Sequence, residues 1–173
     1  MSYSTRQNLA LPLGVLGALT GCLTYVFFHS SGFMVHLAGA VYGLVVAEFL
    51  SSKIGFSRIR TAMIVVAFGF SWLAAFRLAI LLTAHWELES LQATGVICGA
   101  VGASIVALGC ALLIPSLLKM AFLVRTILLG ALIGAFLVIG ETFWSLLFFA
   151  VWQAAIAFSL GWELQRCAQQ EGS

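Results

Sequence analysis

The sequence predicts an all-α integral membrane protein, a six-transmembrane-helix bundle with both termini on the cytoplasmic side (N-in/C-in). Three observations point there. The 173 residues are 62% hydrophobic and 8% charged, whereas soluble domains carry about 45–50% apolar and about 25% charged residues. The apolar residues fall into six runs, each near the roughly 20 residues a helix needs to cross a bilayer. The gaps between runs alternate in sign: Lys53, Arg58 and Arg60, then Glu87 and Glu89, then Lys119 and Arg125. Lys and Arg concentrate in cytoplasmic loops, so a chain threading back and forth produces this alternation.

The spans cover approximately 9–28, 34–50, 62–82, 93–116, 122–140 and 143–163, and 1–173 reads as a single transmembrane domain. Span one begins after Arg6 and carries Pro12 in its first turn, where a missing N–H costs little. Leu19-Thr20-Gly21-Cys22 looks like a lipoprotein cleavage box, but Leu-Thr-Tyr-Val-Phe-Phe follows where a cleaved chain turns polar. It therefore reads as an uncleaved first helix. His29-Ser30-Ser31-Gly32 reads as a tight turn into span two, and Ser51 to Thr61 as a short basic loop. Thr83 to Gln92 reads as an acidic loop anchored by Trp86, and Pro115 stops span four. Glu141-Thr142 leaves barely a turn, making spans five and six an antiparallel hairpin. Seven of the eight basic residues then lie on one side, the cytoplasmic one; Arg77, inside span three, is the exception.

Glycine spacing predicts how the helices meet. Gly17/Gly21, Gly39/Gly43, Gly95/Gly99 and Gly130/Gly134 are GxxxG pairs in four spans. Small residues at that interval let backbones approach where lipid supplies no hydrophobic drive. Packing within the bundle is the first use of such pairs, dimerisation the second. Ala10, Gly14, Gly17, Gly21 and Thr24 recur at steps that Gly95, Gly99, Gly102, Val106 and Gly109 repeat. Trp72-Leu73-Ala74-Ala75 and Trp152-Gln153-Ala154-Ala155 add a second echo. A 3+3 inverted repeat, as in many transporters, is one reading; shared helix-packing grammar is the other.

Charges at membrane depth are expensive and mark sites by default. Arg77 lies roughly 22 Å up span three. It either snorkels outward or faces inward to Glu141, with His36 at a similar height. Together they would form an outer cluster suited to an anion or a proton-linked step. Gln153, beside Trp152 and mid-membrane, needs a hydrogen-bond partner, with Ser71 and Ser104 at similar depth; Trp72 completes this candidate substrate-binding set. Glu48, near the cytoplasmic end of span two, is a gating or interfacial residue, with Lys53, Arg58 or Arg60 as partners. Glu163 lies opposite Lys119 as an interfacial pair.

Several classes are disfavoured. There is no Asp, no Gly-x-Ser-x-Gly, no His-Glu-x-x-His and no Walker box. An enzyme is therefore not expected, and neither a metal nor a cofactor is implied. Cys22, Cys98, Cys110 and Cys167 form no CxxC pair and read as small packing residues. A net charge of +2 is too small to suggest nucleic acid. In size, span count and topology the outline is similar to vitamin-binding subunits of energy-coupling transporters and to small amide or urea channels. No family motif is present, so no residue's role is carried over.

Two functions fit. One is a small-solute or ion transporter or channel in the cytoplasmic membrane. The alternative is a non-catalytic subunit or assembly factor of a larger membrane complex. The bilayer is the expected partner, with a membrane protein or a second copy of the chain beside it. Gln153 and Arg77 discriminate: facing a hydrated cavity favours transport, while a dry paired core or an outward face favours a subunit.

Overall fold

The computed structural model describes residues 8–30, 35–84, 91–136 and 142–171. Six α-helices follow one another: α1 (Ala10–Ser30), α2 (Val35–Ile54), α3 (Arg58–Ala84), α4 (Leu91–Leu113), α5 (Met120–Gly134) and α6 (Thr142–Glu171). A 3-10 turn, Pro115–Leu117, separates α4 from α5, and no strand occurs among the described residues. Four helices are long and apolar enough to cross a membrane, over Leu37–Ile54, Arg58–Ala84, Gln92–Leu113 and Leu146–Gln170. The described apolar stretches of α1 and α5, Ala10–Val26 and Met120–Gly134, are shorter. Large apolar side chains are exposed on every helix, among them Leu19, Leu44, Val66, Leu112, Leu132 and Phe158. A surface this apolar needs lipid rather than water around it.

Helix ends differ from expectation where local chemistry decides them. The basic segment 51–61 is mostly helical: α2 runs on to Ile54 and α3 starts at Arg58, leaving Gly55, Phe56 and Ser57 between. Gly55 stands at φ +74°, a left-handed conformation that ends helices and that only glycine adopts without strain. Its N–H donates to the Ser51 carbonyl. The Ser57 hydroxyl accepts from the Arg60 N–H at 3.4 Å, capping α3. Lys53 thus sits in the last turn of α2, where a cation complements the helix dipole. Pro115 opens the 3-10 turn, and Ile114 before it has left the helical region, which a following proline disfavours. His29 and Ser30 belong to α1, and Cys167 to α6 rather than to a tail. The acidic loop around Trp86, Glu87 and Glu89 and the turn at Glu141 lie outside the described residues, as does Arg6.

Each helix packs on its sequence neighbour and α6 closes against α1, giving a ring. Neighbours are antiparallel, as cross-helix contacts descend on one helix while rising on the other. Lys53, Arg58, Lys119, Arg125 and Arg166 therefore gather at one end, the basic end.

The closest approaches occur at glycines. A Cβ on Gly21 of α1 would overlap the Phe149 carbonyl and the Ala150 backbone of α6. One on Gly99 of α4 would overlap the Gly130 carbonyl of α5, and one on Gly134 the Gly95 carbonyl. Between α2 and α3, Gly39 and Gly43 instead receive the side chains of Trp72 and Phe68.

Large residues fill the ring's centre. Tyr42 and Phe68 meet edge to face at 4.8 Å between centroids. Trp72 and Trp152 meet likewise at 6.0 Å. Leu13, Val46, Ile64, Leu117, Phe122 and Ile156 continue this core towards the basic end.

Candidate functional site

Two polar clusters lie on α6. The first is mid-helix and neutral. Gln153 is completely buried. Its Nε2 donates to Thr24 Oγ1 at 2.8 Å, and that hydroxyl donates to the Thr20 carbonyl at 2.9 Å. The Gln153 backbone carbonyl accepts from Tyr42 Oη at 2.7 Å. One residue of α6 thereby ties α1 to α2. The partner of Gln153 is Thr24, not Ser71 or Ser104. Ser71 donates to the Gly102 carbonyl at 2.8 Å and Ser104 to Ala100 in its own helix at 2.7 Å. Depth is similar for all of them, but α6 turns its Gln153 face to α1, and depth does not specify direction. Trp72 and Trp152 are in contact, while the Gln153 amide turns to α1. Trp72 Nε1, Trp152 Nε1 and Gln153 Oε1 are buried and make no hydrogen bond among the described residues. A buried polar atom left unpaired costs about 1–3 kcal/mol.

The other expected residues do not join this cluster. Arg77 is exposed. It makes no ion pair among the described residues. His36 sits in the first turn of α2, but its side chain, like all of Glu141, lies outside the described residues. Glu48 is exposed and forms no salt bridge with Lys53, Arg58 or Arg60. The helix explains this, since pairing needs a spacing of three or four residues. Lys53 is five positions on and points about 140° away at 3.6 residues per turn.

The second cluster is charged and lies at the basic end. Glu163 is buried, its side chain 4% exposed, between Arg125 Nη2 at 3.2 Å and Lys119 Nζ at 3.6 Å. The expected Lys119 contact is present, but Arg125 is the closer partner. Arg125 also donates from Nε to Ser159 Oγ and from Nη2 to the Ser159 carbonyl, both at 3.2 Å. Thr126 and Ser159 share a hydrogen bond of 2.9 Å. Lys119 Nζ reaches Cys167 Sγ at 3.2 Å and Gln170 Oε1 at 3.1 Å. The contact with Cys167, supported by the Glu163 carboxylate, holds the Lys119 ammonium above the ordinary lysine pKa. Reading Arg125 as a loop charge missed this site. The signal was available: Ser159 and Glu163 are four residues apart on one helix face, opposite an Arg inside the facing helix.

Beside this cluster a groove of about 730 Å³ runs along the outer face of α6 between α1 and α5. Gly14, Leu129, Val151, Ala154, Ala155, Phe158 and Trp162 form its almost wholly apolar walls, and Arg125 and Ser159 border it at the basic end.

Comparison with protein-family models, curated proteins and solved structures finds no match.

Proposed function

We propose that the chain is a six-span protein of the cytoplasmic membrane, termini inside, that serves as a non-catalytic subunit of a larger membrane complex. It needs no cofactor of its own. It docks through the outer face of α3 on a partner helix that offers a carboxylate to Arg77. The observation that carries this reading is the outward direction of Arg77 on the helix the bundle covers least. Only 17% of the α3 span is buried, against 39%, 44% and 50% in α2, α4 and α6. Arg77 lies seven residues before the end of α3, about 10 Å along the axis. Arg77 forms no ion pair among the described residues; a guanidinium at that depth is costly in lipid, and a carboxylate from another chain removes the cost. The neutral cluster supports the same reading, because Gln153 is engaged in holding three helices of this chain together.

Native mass spectrometry after gentle extraction from the source membrane tests it. A partner chain in fixed stoichiometry is expected. Arg77→Ala should keep the unfolding midpoint and lose the partner. Arg77→Lys should weaken the pairing too, since Lys lacks the planar fork. A lone chain with a full lipid shell, unchanged by Arg77→Ala, would overturn the proposal and leave Arg77 snorkelling.

One observation favours the transport reading. Trp72 Nε1, Trp152 Nε1 and Gln153 Oε1 are buried with no hydrogen-bond partner among the described residues, a need that a bound solute would meet. A retained small non-lipid molecule, lost on Trp72→Phe or Trp152→Phe, would decide for it.

A further inference from the structure

We propose that the groove between α1, α5 and α6 is a binding site for one anionic phospholipid, with an acyl chain along α6 and the phosphate on Arg125. The inference rests on membrane embedding alone and is independent of any partner at Arg77.

Charge comes first. Lys119 and Arg125 share one carboxylate, Glu163, so the cluster keeps one positive charge. Arg125 is 30% exposed and lines the groove. A guanidinium has five N–H donors. Here Nε and Nη2 are engaged with Ser159 and Glu163, and Nη1 makes no hydrogen bond among the described residues. Two fixed donors beside an uncompensated charge are suited to a phosphate oxygen. The Ser159 and Glu163 contacts hold the side chain in place, which reduces the ordering cost of binding.

Shape comes second. Arg125 bonds residues 159 and 163, so it sits with Trp162 at the basic end of the groove, while Val151 marks the other end. From Val151 to Trp162 is about 16 Å of helix. Half of a hydrocarbon layer about 30 Å thick is nearly the same length. The groove thus runs from headgroup level to the bilayer midplane and stops, as one acyl chain does. A spanning helix would continue past Val151. The volume lies within the roughly 300–1,000 Å³ of ligand pockets. Phe158 and Trp162 stack at 6.1 Å beside the polar end, where interfacial aromatic residues belong.

The test uses the full chain, delipidated and returned to nanodiscs holding equal amounts of phosphatidylglycerol and phosphatidylcholine, with bound lipid counted by native mass spectrometry. The wild type should keep one phosphatidylglycerol in preference to phosphatidylcholine by about tenfold, the scale of one hydrogen bond to a charged group. Arg125→Gln should lose the preference. Because Arg125→Gln also disturbs Glu163, Ala155→Phe is the second variant. It fills the groove, leaves Arg125 and Glu163 in place, and should lose the lipid altogether. Equal retention of the two lipids by the wild type overturns the proposal, as does unchanged retention by Ala155→Phe. Displacement of the lipid by inorganic phosphate would mean a plain anion site. A photocrosslink from position 155 to a protein would mean a partner helix. Either outcome overturns the lipid assignment.

Discussion

The two flanks of α6 meet their neighbours in opposite ways. Towards α1, Gly17 and Gly21 bring the backbones so close that a methyl group would strike the Gln153 and Phe149 carbonyls. The polar link from Gln153 to Thr24 on that flank is short and neutral. Towards α5, no such glycine contact occurs among the described residues, the packing is less extensive, and a long charged side chain reaches from Arg125 to Ser159 and Glu163. Separation selects the chemistry. Where backbones touch, hydroxyl and amide groups suffice and lipid is excluded. On the α5 side, the Thr126–Ser159 hydroxyl pair is joined by the long reach of Arg125 to Glu163, and the space beside Arg125 becomes the groove.

That contrast can be broken at either flank. The largest effect is expected for Gly21→Leu, which should lower stability by about 3 kcal/mol, the upper range for overpacking, because the obstacle is backbone. A reduced unfolding midpoint in detergent, read by circular dichroism, checks this. Glu163→Gln comes second. It leaves Arg125 and Lys119 without a counter-charge, but both are partly exposed. About 2 kcal/mol is expected, as for a hydrogen bond to a charged group, and added salt should narrow the difference from wild type by screening the exposed cations. Gln153→Leu should cost about 0.6 kcal/mol, the measured average for such interhelical bonds. A larger loss would mean that the neutral cluster does more than join helices. Gly14→Ala should shift stability by less than about 0.5 kcal/mol, although Gly14 is on the same helix as Gly21. Its new Cβ would meet the Phe158 side chain at 3.4 Å and the Ala154 carbonyl at 3.8 Å, both ordinary contacts, at the groove. A thermal scan comparing Gly14→Ala with Gly21→Ala isolates the effect of separation from that of residue type.

Much of the architecture was legible because lipid imposes simple rules. Long apolar runs gave helices, the sign of the gaps foretold a shared basic end, and Pro115 marked a real break. Gly55 went unread, since a single glycine in a polar segment does not distinguish a loop from a sharp turn between two long helices. Direction around a helix was the harder property. When every face of α3 is apolar, no periodic pattern tells whether Arg77 points in or out. Depth alone suggested Ser71 and Ser104 for Gln153, but the partner depended on which helix lay alongside. Arg125 was hidden by its nearness to Lys119, which made a half-buried ion-pair member resemble a loop charge.

The turn at Gly55 has a consequence for the surrounding membrane. Gly55, Phe56 and Ser57 are all that lies between α2 and α3. Lys53, Arg58 and Arg60 are therefore borne on the ends of two packed helices and not on a slack loop. Their backbones keep a fixed spacing at one level of the molecule. Each basic residue beside an anionic leaflet contributes about 1 kcal/mol, and a rigid mount lowers the ordering cost of that attraction. The short turn thus makes one edge of the bundle a set pattern of charge against which lipid headgroups arrange themselves.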